Sequence, residues 1–253
     1  MKRLFAALSF LVLALVMPAQ ADDASFDHAV FDGLLKKYCD EAGFVRYAAW
    51  KKDDLKTLDG YLGKVRAQDP AKLSKKERLV FWINVYNAWT IRGILKVYPT
   101  KSIMDHQDEK SFHIWKNYEL KVNGKGYTLD GIEHQILRKM GEPRIHFAIV
   151  CASIGCPPLL NEAYSVAKLD SQLKASAEKF FATASKFKVS LKAGTVSISQ
   201  LFQWFGGDFA KSPAGVLKFC SQYVKDPAAK TLMASGKAKI KYLGWDWSLN
   251  EKK

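Results

Sequence analysis

The stretch from Ser74 to Pro99 constrains this chain more than any other. Ser74-Lys75-Lys76-Glu77 sets a hydroxyl and a carboxylate three residues apart, the pattern of a helix-opening capping box. Proline disfavours helix in the residue before it, so the helix must stop ahead of Pro99. Between these signals, residues 79–91 are apolar on almost every face. A helix with no polar face cannot lie against water, so it belongs at the centre of the fold.

The other segments supply what surrounds it. Phe26, Val30, Phe31, Leu34, Leu35 and Tyr38 recur at helical spacing over residues 22–39. Residues 43–50 read as a turn and a short extended segment. Residues 119–122 and 127–129 flank Asn123-Gly124-Lys125-Gly126, which reads as a hairpin. Thr128 or Asp130 can cap a helix that runs to about Met140 and is stopped by Gly141 and Pro143. Residues 144–151 form a nearly continuous apolar run of strand length, which predicts a buried strand. Ser165 opens another helix, and residues 187–191 with 196–199 make a second hairpin. Short helices near 200–209 and 213–224 follow, and the aromatic tail 240–249 should pack back onto the body. Helices and hairpins intersperse without regular strand–helix alternation. That predicts an α+β fold: one compact domain over residues 22–253, with a central buried helix and a small, mainly antiparallel sheet.

Residues 1–21 read as a secretory signal peptide: Lys2 and Arg3, an apolar run over 4–16, then Ala19-Gln20-Ala21. The expected location is therefore periplasmic or secreted. No later segment approaches the roughly 20 apolar residues of a spanning helix, so no membrane anchor is expected after cleavage. The chain carries a net charge of +14, but pairs such as Lys36-Lys37, Lys51-Lys52 and Lys75-Lys76 are scattered. Nucleic-acid proteins gather such charge on one face, so nucleic acid is not an expected partner. The scattered charge reads first as a solvated surface, and as a second reading attracts an unknown, anionic component of the cell envelope. The cysteines are Cys39, Cys151, Cys156 and Cys220. An oxidising compartment permits disulfides, and four cysteines allow three pairings. Cys151 and Cys156 are close enough in sequence to bridge. No CxxC spacing is present, and the sequence calls for no cofactor.

Chemistry can sit in three places. Asn84 and Asn87 share a face of the central helix. A buried amide left unpaired costs about 1–3 kcal/mol, so each either holds a loop or orients a catalytic group. Glu133 falls among Leu129, Ile136, Leu137 and Met140 at helical spacing, with His134 at the edge of that stripe. A carboxyl there must be paired, neutralised or used, as a buried anchor or as part of an acid/base pair. Cys151 closes the expected strand, and Cys156 sits between Gly155 and Pro157-Pro158. Strand alternation puts His146 and Cys151 on opposite faces, which argues against a direct dyad between them. The two cysteines read as a disulfide, a buried thiol or a nucleophile. A metal site from His134, His146, Cys151 and Cys156 lacks any familiar ligand spacing.

Taken as blocks, these residues resemble the domain-of-unknown-function 547 family, in its bacterial exported branch. The blocks are Phe81-Trp82-Ile83-Asn84-Val85-Tyr86-Asn87-Ala88 and Ile132-Glu133-His134-Gln135-Ile136-Leu137-Arg138. They continue with His146-Phe147-Ala148-Ile149-Val150-Cys151-Ala152-Ser153, Gly155-Cys156-Pro157-Pro158-Leu159 and Asp246-Trp247-Ser248-Leu249-Asn250. The resemblance implies no established activity. It brings a distant likeness to papain-like or transglutaminase-like thiol enzymes, with one departure. Those enzymes place the nucleophile at the start of the central helix, ahead of the histidine. Here that helix carries Asn84 and Asn87 and no cysteine.

Two functions compete at this level. One is a binding or scaffold protein of the envelope, whose motif residues hold the core. The other is a thiol-dependent hydrolase or acyl transferase acting on an envelope peptide or amide. In it Cys151 or Cys156 is the nucleophile, His134 the base and Glu133 its orienter, while Asn84 or Asn87 serves the oxyanion or the loop.

Overall fold

The computed structural model describes residues 25–252; the signal-peptide reading of residues 1–21 lies outside them. Its axis is helix α4 (Lys75–Val97), in which every residue from 79 to 91 is buried. The capping box forms: Ser74 N–H donates to Glu77 Oε2 at 2.7 Å, and Glu77 N–H donates to Ser74 Oγ at 3.3 Å. Ahead of it come α1 (Ala29–Tyr38), α2 (Tyr47–Asp53) and α3 (Leu55–Ala67). Their apolar faces stack ring on ring, Phe31 on Tyr61 at 5.3 Å and Tyr38 on Trp50 at 5.0 Å. Residues 43–50 are not wholly extended: Val45 bridges Cys39 and Glu251, but the chain then coils into α2. The helix pays off at its far side, where buried Tyr47 and Trp50 meet the core.

Strands β1 (Leu120–Val122) and β2 (Lys125–Tyr127) pair antiparallel about a two-residue turn. Asn123 and Gly124 both have positive φ, +48° and +76°, as a type I′ hairpin demands. Thr128 then caps α5 (Leu129–Gly131), which continues as π-helix over Ile132–Leu137 and a 3-10 turn over Arg138–Met140. Gly141, at φ +76°, ends it.

Residues 144–151 form no strand. Pro143–Phe147 is a 3-10 turn, and the chain then runs on irregularly. Pro143 sits at the first helical position, and Glu142 caps the turn by accepting from Arg144 N–H. The apolar character is explained by burial from Ile145 to Val150, which a short run achieves in either conformation. No ladder supplies backbone partners here, so side chains do, as described below.

After α6 (Leu169–Ala182) come β3 (Phe187–Ser190) and β4 (Thr195–Ser199), an antiparallel pair. Helices α7 (Leu201–Phe209), α8 (Pro213–Ser221) and α9 (Pro227–Ala234) then carry the chain to β5 (Lys239–Leu243). β5 pairs with β4 in parallel, the direction a long crossover allows. The fold is thus α+β with small sheets of mainly antiparallel pairing.

Two hydrophobic cores result. The larger surrounds α4. The smaller gathers Phe147, Phe180, Phe202, Leu217 and Met233. Neighbouring residues of one turn serve both, Ile145 and Ala148 in the first and Phe147 in the second. Trp245, on the tail, packs against both.

Candidate functional site

The two asparagines of α4 are the framework of the site. Asn84 Nδ2 donates to the Tyr164 carbonyl while Tyr164 N–H donates to Asn84 Oδ1, both at 2.9 Å. One turn on, Asn87 Nδ2 donates to the Ala148 carbonyl at 2.9 Å and Val150 N–H donates to Asn87 Oδ1 at 3.0 Å. Each amide supplies the donor and acceptor that a neighbouring strand would have given. Neither lines the cleft described below; both hold backbone. Asn87 thereby fixes the residues that lead into Cys151.

Cys151 and Cys156 are joined by a disulfide. The loop between them is laced to the C-terminal tail, with Ile154 N–H on the Ser248 carbonyl at 2.8 Å and Gly155 N–H on the Asp246 carbonyl at 2.7 Å. Buried Lys186 donates to the Ile154 carbonyl at 2.6 Å. Trp245 Nε1–H donates to Ser153 Oγ at 2.9 Å. Gly155 is required: a Cβ there would lie 2.7 Å from the Trp245 ring. All four cysteines fall among the described residues, and Cys39 and Cys220 are unbridged and buried. Burial pushes the Cys39 thiol up to about 12 and that of Cys220 well above its ordinary value.

A cleft of about 170 Å³ opens at the seam of the two cores. Trp115, Trp204, Phe205, Trp245 and Trp247 wall it, and the disulfide, Tyr86, Glu133 and His146 also line it. The indoles cluster, with Trp204 4.9 Å from Trp245 and 6.0 Å from Trp247 between ring centres. Trp204 is 42% exposed at the surface. Glu133 projects from the π-helical segment, a distortion that occurs often at functional sites. Tyr86 Oη donates to its Oε2 at 3.0 Å. Burial raises the Glu133 carboxyl above its ordinary range, against the opposing pull of His134, the Tyr86 bond and Arg138. The same burial raises Tyr86, which keeps its proton for that bond.

His146 and Cys151 line the same cleft. The expectation that they face apart fails with the strand it was based on. His146 Nε2 lies 2.8 Å from Asp208 Oδ2. A carboxylate only accepts, so Nε2 carries the proton and Nδ1 of the neutral ring does not. Arg138 grips Asp208 in a fork, Nε to Oδ2 at 2.6 Å and Nη2 to Oδ1 at 2.8 Å. The Arg138 fork and the His146 bond hold Asp208 down to about 2, while desolvation lowers His146. His134 does not line the cleft. It accepts from Arg138 Nη1 on Nδ1 at 2.9 Å, with its ring 6.1 Å from Phe205. Of the six sequence candidates, Glu133, Cys151 and Cys156 meet in one place; His134, Asn84 and Asn87 stand behind it. Tyr86, Asp208 and the tryptophans are additions, and His146, which the sequence set apart from Cys151, joins them. The aromatic density of Trp204-Phe205 and Trp245-Asp246-Trp247 was the available signal.

Among the described residues no group of three or more His, Cys, Asp or Glu side chains is arranged to hold a metal ion. No described helix is long and apolar enough to cross a membrane.

The fold and cleft define an α+β protein with an aromatic-walled hollow beside a disulfide. Residues 70–181 match the family model described as "Protein of unknown function, DUF547", so this segment is similar to that family. The segment holds Tyr86, Glu133, His146, Cys151 and Cys156, whereas Trp204, Asp208, Trp245 and Trp247 lie beyond it. No curated protein and no solved structure matches the chain.

Proposed function

We propose that this is an exported binding protein of the cell envelope whose cleft receives an aromatic or apolar group bearing an oxygen acceptor. The observation that carries this reading is the closure of indole walls on one carboxyl that burial keeps toward its neutral form. Pockets for small ligands combine apolar lining with a few placed polar groups, and this one has that composition. A protonated Glu133 accepts from Tyr86 on one oxygen and has the other free to donate to a ligand oxygen. The net charge of +14 favours anionic ligands at a distance. A thiol-dependent hydrolase is less well supported, because both candidate nucleophiles are tied up in the disulfide.

The test uses 8-anilinonaphthalene-1-sulfonate, an aromatic anion, titrated into the native protein with tryptophan emission and calorimetry as readouts. Saturable one-to-one binding is expected, weakened about tenfold or more by Trp204→Ala. Trp204 is partly solvent-exposed, so the substitution leaves the cores intact. Binding that is unchanged by Trp204→Ala, or that appears only on heating, contradicts the reading.

A further inference from the structure

We propose that the Cys151–Cys156 disulfide is an exchange-active redox pair, in which Cys151 is the sulfur attacked by an incoming thiol and Cys156 the sulfur that leaves. Both cysteines line the cleft, but Cys151 is half-buried while Cys156 is only 5% exposed. An incoming thiolate therefore meets Cys151 first. A fixed backbone donor is aimed at the other sulfur, and a hydroxyl stands within reach of both. Cys151 N–H donates to Cys156 Sγ at 3.0 Å, and the Ser153 hydroxyl lies 3.4 Å from it. The Ser153 oxygen already accepts from Trp245 Nε1–H, which leaves its own proton to point at sulfur. Ser153 Oγ also lies 3.2 Å from Cys151 Sγ and can serve that sulfur in turn. Donors fixed around a nascent thiolate lower its pKa, and a lower leaving-group pKa speeds exchange. The bridge spans a sequence separation of only 5. So short a closed loop stabilises a fold less than a long-range bridge does.

The reaction balances with thiols as co-reactants. A first thiolate bonds to Cys151 Sγ, the bond between the two protein sulfurs breaks, and its electron pair stays on Cys156 Sγ. A second thiolate then attacks the substrate sulfur of the mixed disulfide and releases Cys151 as a thiolate. Two substrate thiols have become one disulfide, and the protein disulfide has become two thiols. The two protons lost by the substrates are regained, through solvent, by Cys151 and Cys156. A disulfide substrate resets the pair by the reverse steps. The indole walls select the substrate class, a cysteine carried on an apolar peptide segment. That selection rests on the binding reading above, whereas the exchange chemistry does not.

The experiment holds the native wild-type protein in buffers of stepped reduced-to-oxidised glutathione ratio, alkylates free thiols and maps them by mass spectrometry. Cys151 and Cys156 should become labelled together in the folded protein while Cys39 and Cys220 stay unlabelled. A bridge that opens only with denaturant overturns the proposal. Reactions quenched early by acid should carry the mixed disulfide on Cys151; glutathione found mainly on Cys156 overturns the assignment of roles. With oxidised glutathione, Cys156→Ser should form a stable adduct about tenfold or more faster than Cys151→Ser, and equal rates overturn that assignment too. Finally, an apolar cysteine peptide should react faster than glutathione. Exchange with glutathione but no gain from the apolar peptide removes the cleft-based substrate choice and leaves the redox pair standing.

Discussion

Trp245 donates its indole N–H to Ser153 Oγ at 2.9 Å, across 92 positions of sequence. This bond ties the C-terminal tail to the loop that holds the disulfide and sets one wall of the cleft. Trp245→Phe keeps a ring in place and removes the donor. It should cost about 1 kcal/mol in stability, read from chemical denaturation. It should also slow opening of Cys151–Cys156 in the native protein, because the Ser153 proton is then no longer oriented. Unchanged stability and unchanged opening would show that the bond plays neither role.

Asn87 stands for the backbone partners that a strand would have supplied to Ala148 and Val150. Asn87→Ala leaves a buried carbonyl and a buried N–H unpaired and opens a small cavity. Its expected cost is about 3 kcal/mol, from two lost buried bonds. The readout is the urea midpoint. A loss below about 1 kcal/mol would mean that the loop before Cys151 is held by other contacts.

His146 is buried against Phe205, with ring centres 4.4 Å apart, and desolvation lowers its pKa despite the Asp208 carboxylate. A base whose folded pKa is depressed contributes stability that is present above its unfolded value, about 6.5. That stability is lost as pH falls below it, because the unfolded chain takes up the proton first. Melting temperature should therefore drop between about pH 7 and pH 5. His146→Gln retains a donor toward Asp208 and removes the titration, so its profile should be flatter. His28, lowered by burial to about 4, contributes with the same sign and sets the residual slope. Equal slopes in the wild type and His146→Gln would refute the assignment.

The legibility of this fold followed local physics. The capping box at Ser74, the halt before Pro99, the Asn123-Gly124 hairpin and the β3–β4 hairpin are decided within a few residues, and each was readable. Residues 144–151 were not, because a short apolar run reports burial and not conformation. The residue that replaced the expected ladder, Asn87, lies 61 and 63 positions from its partners Ala148 and Val150. The cleft likewise depends on long-range packing. Trp204 and Trp245 line it, and Asp208 reaches His146 from 62 positions away, only because α7 and the tail pack against the turn around His146. Glu133 announced itself as a carboxyl in an apolar stripe, and it lines the cleft with the other legible candidates, Cys151 and Cys156.

Binding in the cleft through a neutral Glu133 is tested most directly by affinity as a function of pH. Burial keeps Glu133 protonated to a higher pH than an exposed carboxyl. Affinity for 8-anilinonaphthalene-1-sulfonate should therefore fall as pH rises through the Glu133 titration, where the carboxyl changes from donor to anion. Glu133→Gln stays neutral, keeps an acceptor for Tyr86, and should bind with that pH dependence abolished. A wild-type profile with no decline, or the same decline in Glu133→Gln, would contradict the claim.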